Sequence, residues 1–381
     1  MLKPFLSLVS LLMMTTTAAA ELPRVRARAL GVAPGILQPG PLNSITDVAG
    51  VAVGQLTRIE GGDVRTGVTA ILAHVGNLFQ DKVPAGVAVA NGFGKLTGTT
   101  QIIELGEIET PIILTNTLSV PQAADALIAW TLAQPGNEAV ASVNPVVGET
   151  NDSRLNNIRK RVITRDDVLA AIAAAATGAV AEGAVGAGTG TVAFGWKGGI
   201  GTSSRVVPAA SASYRVGVLV QTNYGGSLRV LGTEIGNAQR PVGAPPMTRS
   251  SSADGSIMII LATDAPLSDR NLKRLAERSF AGLARTGSAF SNGSGDYALA
   301  FSTAASVRRT PQRRATASAT ENVPNDSMSA LFVAAADATE EAIYNSLFMA
   351  TSMTGRDSNG DAVVVDAVPI ETIRRLLPQR P

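Results

Sequence analysis

The chain has no cysteine and a single histidine, His74, in 381 residues. No disulfide can form, no thiol nucleophile is available, and zinc or iron sites built on imidazole and thiolate ligands are almost excluded. Serine chemistry would have to run without an imidazole base unless His74 supplied it. His74 follows the apolar Ala70-Ile71-Leu72-Ala73, so a structural role is expected. Charge is scarce as well: 16% of residues are charged and the net charge is +2, which gives no strong field to recruit nucleic acid or a membrane. No segment has the roughly 20 uninterrupted apolar residues of a membrane span. What the chain does have is 45% hydrophobic residues, enough to bury a large core in one big domain or two.

The N-terminus has the form of an export signal. Lys3 precedes an apolar stretch from Phe5 to Met14, and Ala18-Ala19-Ala20 stands before Glu21. Residues 1–20 are expected to be a signal peptide cleaved after Ala20, giving an exported protein, periplasmic in a Gram-negative source.

The body alternates strands with a few apolar helices. Strands are expected at Asn43 to Gly54, Gly67 to Leu72 and Gly86 to Asn91. Gly92-Phe93-Gly94-Lys95 is no phosphate loop, because no glycine stands five residues before Gly94. Pro111 to Thr117 reads as a strand and Ser119 to Leu132 as a helix, ended by Pro135-Gly136. Pro145 to Asp152 is a strand running out into a polar turn. Thr164 to Asp167 offers a capping box for an alanine-rich helix through about Ala181. Gly186 to Gly201 holds seven glycines, but no helix-forming run follows them, so a hairpin is expected rather than a dinucleotide site.

Tyr214 to Gly226 is a buried strand that delivers Asn223 to its end, and the Pro-, Ser- and Gly-rich Gly236 to Asp254 is the best linker. Gly255 and Ser256 then stand at the mouth of the continuous apolar run Ile257 to Ala262. A helix from Ser268-Asp269 carries Leu272, Leu275, Ala276, Phe280 and Leu283 on one face. Ser291 to Asp296 is a tight turn into the strand Tyr297 to Ser302. Arg308, Arg309, Arg313 and Arg314 read as a solvated or interface face, and a last helix carries Ala335 to Met349. Asp357 to Asp361 starts like a calcium loop but lacks its glycine and distal glutamate, so a plain turn is expected. The pattern suggests helices covering stacked sheets.

A hydrolase without thiol or conventional imidazole needs another base. A serine at a newly made N-terminus carries its own, an α-amine with a pKa of about 7.7–8.0 against about 10.4 for lysine. Such a base contributes roughly 10²–10⁴ in rate. No G-x-S-x-G elbow argues for the usual arrangement. Gly255-Ser256 suits a cut that would create the amine: the hydroxyl attacks the Gly255 carbonyl, and water finishes the cleavage.

Seven stretches, in order, are similar to the DmpA/BapA family of self-processing aminopeptidases: Asn43 to Gly54, Asn91 to Lys95, Val147 to Asp152, Gly186 to Thr202, Val218 to Gly225, Asp254 to Pro266 and Asn292 to Thr303. The resemblance implies an αββα sandwich of N-terminal-nucleophile type, with residues 21–255 as α chain and 256–381 as β chain of one catalytic domain, assembled as a homotetramer. It implies Ser256 as nucleophile, Asn223 as oxyanion donor, Ser294 and Asp296 as groups that orient and polarise the nucleophile, and Glu149, with Asn151 close by, as the holder of a substrate ammonium. Gly255 and Ser256 flank the cut, and no metal or cofactor is implied. Some strongly β-peptide-preferring members carry Glu where this chain has Asp296. Substrates would be peptides, amides or esters with a free N-terminal amine, led by β-amino acids, D-alanine or small L-residues. An acyltransferase of related fold and a non-catalytic exported binding protein remain the alternatives.

Overall fold

The computed structural model describes residues 23–209, 213–235, 255–357 and 359–377. The expected signal peptide and the linker Gly236 to Asp254 lie outside these residues.

A hairpin opens the fold, β1 (Ala52–Glu60) and β2 (Val64–Leu72), followed by β3 (Val83–Gly92), α1 (Thr99–Leu105), β4 (Glu107–Ile108), β5 (Ile112–Asn116), α2 (Val120–Leu132), β6 (Val146–Thr150) and α3 (Arg165–Ala173). The glycine-rich segment makes the expected hairpin, β7 (Val192–Ala193) and β8 (Trp196–Lys197). It leads into the long pair β9 (Ile200–Pro208) and β10 (Ser213–Asn223) and the short pair β11 (Arg229–Val230) and β12 (Thr233–Glu234). The remainder is β13 (Ser256–Thr263), α4 (Asp269–Arg285), β14 (Gly295–Ser302), α5 (Pro311–Ala315), α6 (Met328–Phe348), the hairpin β15 (Met353–Arg356) and β16 (Ala362–Val365), and α7 (Ile370–Leu376).

Two sheets stack, one ordered β1-β2-β5-β6 and one ordered β4-β3-β14-β13-β10-β9. Strand β13 is central, parallel to β14 and antiparallel to β10. Its run is apolar throughout because both faces are covered. Ile257, Ile259 and Leu261 meet Leu272, Leu275 and Leu283 of α4 and Leu331 and Ala342 of α6 in one core. Met258, Ile260 and Ala262 join Ile71, Leu114 and Val146 of the other sheet in a second core. Helices α2 and α3 cover the far side of the small sheet, where Val120, Leu127, Val168 and Ile172 pack on Val68, Ala70, Ile113 and Val147. The layers are therefore helix, sheet, sheet, helix. Each fully buried aliphatic side chain contributes about 1.5–3 kcal/mol, and the alternation forces Ser256, in phase with Met258 and Ile260, onto the inter-sheet face.

Two helix boundaries differ from the sequence pattern. The capping box at Thr164 and Asp167 is present, yet α3 stops at Ala173. The backbone of Ala176 is instead captured by the edge of β1, exchanging two 3.1 Å hydrogen bonds with Val53, which small side chains permit. Helix α6 begins at Met328, about two turns before Ala335, where buried Met328 and Leu331, three residues apart, anchor the added start. The calcium-loop mimic is a turn: Asp357 Oδ1 accepts from the backbone of Asn359 and Asp361. Among the described residues, no helix is long and apolar enough to cross a membrane.

Candidate active site

Three strands end together at Ser256. In register, Ser256 of β13 lies opposite Asn223, the last residue of β10, and beside Gly295, the first residue of β14. Ser256, Asn223, Ser294 and Asp296 are all buried. The backbone N–H of Gly295 is shared, donating to the Gly255 carbonyl at 3.1 Å and to Ser256 Oγ at 3.3 Å. At Gly255 only glycine fits, because a Cβ would come within 2.3 Å of Asn223 O and 2.4 Å of Tyr224 Cα.

The amide of Asn223 has a defined orientation. Val192 N–H donates to Asn223 Oδ1 at 2.9 Å, which leaves Nδ2 as the donor, with no acceptor among the described residues. Ser294 Oγ donates to Asp296 Oδ1 at 2.7 Å, while the buried Oδ2 has no partner among the described residues. Burial pushes the Asp296 carboxyl above its ordinary pKa, and the Ser294 hydrogen bond opposes this.

Glu149 sits near the end of β6, almost wholly buried. Leu96 bridges Gly148, which brings Lys95 N–H to Glu149 Oε1 at 3.0 Å, and Thr117 Oγ1 donates to Oε2. Burial raises its pKa against these two hydrogen bonds and the Lys95 charge. Gly94 joins the two halves of the site. A Cβ there would lie 2.9 Å from Tyr297 Cε2, 3.1 Å from Glu149 Oε1 and 3.2 Å from Gly295 Cα, so the acid meets β14, the strand paired with that of Ser256, across one glycine.

The sequence model of peptidase family S58 matches residues 43–360. The chain belongs to peptidase family S58. One relative, a β-peptidyl aminopeptidase BapA of Sphingosinicella xenopeptidilytica, is 41% identical, with the alignment covering 98% of this chain and 96% of the relative. Among solved structures, a protein of Pyrococcus horikoshii OT3 superposes with a TM-score of 0.84 at 45% identity, covering 92% of this chain and 98% of the other. The L-aminopeptidase D-Ala-esterase/amidase of Ochrobactrum anthropi, described as a variant of the Ntn hydrolase fold, matches with a TM-score of 0.84 at 38% identity over 92% of this chain and 98% of its own. The αββα layering is thus that of Ntn hydrolases, and this S58 member is a hydrolase of the aminopeptidase class.

Within this S58 chain the structure brings Gly255, Ser256, Asn223, Ser294, Asp296 and Glu149 to one end of the strands. Asn151 is not drawn into that bonding: it sits on an exposed turn, with Oδ1 accepting from Ser153 N at 3.0 Å. His74 is structural. Gly76 N–H donates to Nδ1 at 3.0 Å, and Nε2 lies 2.8 Å from Asp81 O, so both nitrogens are taken by backbone and the ring is buried. The four arginines from 308 to 314 are engaged too, Arg308 with Asp81, Arg309 with Glu107, and Arg313 and Arg314 with backbone carbonyls.

Sequence reasoning missed Thr117, Val192 and Tyr297 as parts of the site. Thr117 had a usable signal, since it follows strand β5, which runs parallel to β6 in a register pairing Thr115 with Glu149. Among the described residues, no group of three or more His, Cys, Asp or Glu side chains could hold a metal ion.

Proposed function

We propose that this peptidase cuts its own chain between Gly255 and Ser256 and then uses Ser256 as an N-terminal nucleophile to remove N-terminal residues from peptides, amides and esters. The observation that carries this is the shared Gly295 N–H, which holds the Gly255 carbonyl and the Ser256 hydroxyl together where the strands end.

In the first reaction Ser256 Oγ attacks the Gly255 carbonyl carbon, and charge developing on Gly255 O is met by the Gly295 N–H. The C–N bond breaks, the amine of Ser256 takes the proton, and water hydrolyses the resulting ester to leave a Gly255 carboxylate. In the second, the freed α-amine accepts the Ser256 hydroxyl proton as Oγ attacks a substrate carbonyl. Asn223 Nδ2 donates to the oxyanion, and the proton passes to the leaving amine. Water then releases the acyl group. Glu149 pairs with the substrate's ammonium in a charge-assisted hydrogen bond, which restricts cleavage to the first residue. The Ser294 and Asp296 pair orients the nucleophile's hydroxyl and amine.

The β-peptidyl aminopeptidase relative supports β-peptides as substrates, and the L-aminopeptidase D-Ala-esterase/amidase supports D-alanine and L-residues as well. Residues 1–20 fit export to the periplasm, and the two processed chains are proposed to assemble as a homotetramer. Light scattering of purified protein tests the assembly. A Ser256→Ala protein tests the chemistry: it should run as one band on a denaturing gel and hydrolyse no aminoacyl anilide. Two bands or undiminished hydrolysis would remove the proposal.

A further inference from the structure

Lys197, the second residue of β8, has no place in the chemistry above, yet it is fully buried. Its Nζ donates to three backbone carbonyls, Gly188 at 2.9 Å, Thr191 at 2.9 Å and Gly198 at 2.8 Å. An ammonium has three N–H donors and a neutral amine two, so the geometry suits the charged form. Burial pulls its pKa down to about 7, and the buried carboxylate of Asp152 opposes that shift. Asp152 lies against the same turn: a Cβ on Gly190 would come within 2.9 Å of Asp152 Cβ. With every donor engaged by a carbonyl, Lys197 is no base for Ser256.

What its ammonium touches gives it a different role. Thr191 C=O and Val192 N–H are the two ends of one peptide plane, and they point in opposite directions across it. Lys197 Nζ holds the oxygen end, and the N–H end donates to Asn223 Oδ1 at 2.9 Å. We propose that Lys197 is a positioning residue for Asn223. Through a single rigid peptide, it fixes the amide with Nδ2 left for the oxyanion and strengthens the N–H that does so by polarising it. Among the described residues, the other hydrogen bond to the Thr191 carbonyl is from the Gly198 N–H, 3.1 Å away. The proposal rests on Asn223 being the oxyanion donor.

The test is a double-mutant cycle on purified protein, with kcat and KM for an aminoacyl anilide and the extent of self-cleavage measured for Lys197→Met, Asn223→Ala and the double variant. Lys197→Met should process, keep KM within about twofold and lose about 10–10²-fold in kcat, while Asn223→Ala loses about 10²–10³-fold. The double variant should be no more than about twofold slower than Asn223→Ala alone, because both losses run through one donor. Wild-type kcat in Lys197→Met, losses that multiply, or failure to process would overturn the role of Lys197 while leaving Asn223 in place. Wild-type kcat in Asn223→Ala would instead remove the donor assignment beneath it. If Lys197→Met is insoluble, Lys197→Gln is measured in the same cycle with the same expectation. Insolubility of both would assign Lys197 to the fold and overturn the proposal.

Discussion

Gly295 donates its backbone N–H to the carbonyl oxygen of Gly255 at 3.1 Å, on a strand whose register sets Gly295 beside Ser256. A donor at the carbonyl of the bond to be cut, with the attacking hydroxyl within reach of the same N–H, is the arrangement that self-cleavage needs. Parallel pairing of β13 and β14 supplies it without help from a loop.

Gly255→Ala should block that reaction. The added methyl would lie 2.3 Å from Asn223 O and 2.4 Å from Tyr224 Cα, both backbone atoms that cannot swing aside. The carbonyl must then leave the Gly295 N–H. A denaturing gel should show one uncut chain, and anilide hydrolysis should fall by at least about 10²-fold, the range expected for losing the α-amine base. Normal processing in this variant would contradict the fit at Gly255.

Removing the charge of Glu149 should act on binding. Glu149→Gln keeps one acceptor oxygen for Lys95 N–H and turns an amide N–H to Thr117 Oγ1, whose hydroxyl can accept it, but loses the ionic partner of a substrate ammonium. KM should rise about tenfold or more with kcat changed far less. The pH dependence carries a sign. Glu149 must be ionised to hold the ammonium, and burial raises its pKa, so its contribution to the acid limb of wild-type kcat/KM, added to that of the α-amine base, should set in at a higher pH than an ordinary carboxylate would give. In Glu149→Gln that contribution to the acid limb should disappear. An unchanged KM would place the ammonium elsewhere.

Asp296→Asn separates shape from charge. An amide oxygen can still accept from Ser294 Oγ, so Ser294 stays oriented while the buried negative charge is lost. A loss of about 10–10²-fold in kcat is expected, with KM little changed and a larger loss in Asp296→Ala. Equal losses in the two variants would show that hydrogen bonding to Ser294 plays no part.

Much of this was legible in the chain. The strand ending at Asn223 and the apolar run opening at Ser256 were readable because buried strands are continuous in β-branched and aliphatic residues, and glycines punctuate them. Helices covering stacked sheets followed from strands alternating with apolar helices, and the family resemblance implied the αββα layering and named candidate site residues, of which Gly255, Ser256, Asn223, Ser294, Asp296 and Glu149 gather at one end of the strands. What could not be read depends on approach between distant segments. Lys95 N–H reaches Glu149 through a bridge between Leu96 and Gly148, which no local pattern announces. The early stop of α3 at Ala173 came from the edge of β1 capturing Ala176, a tertiary contact that overrides helix propensity. Asn151, two residues after Glu149, caps its own turn, as an exposed Asn after a strand readily does.

The most direct measurement is the intact mass of the purified protein's chains together with the N-terminal sequence of the smaller one. Self-activation requires two chains, the smaller beginning Ser256-Ile257-Met258-Ile259. A single uncut chain that still hydrolyses aminoacyl anilides would contradict it, since the α-amine that serves as base would never have been made.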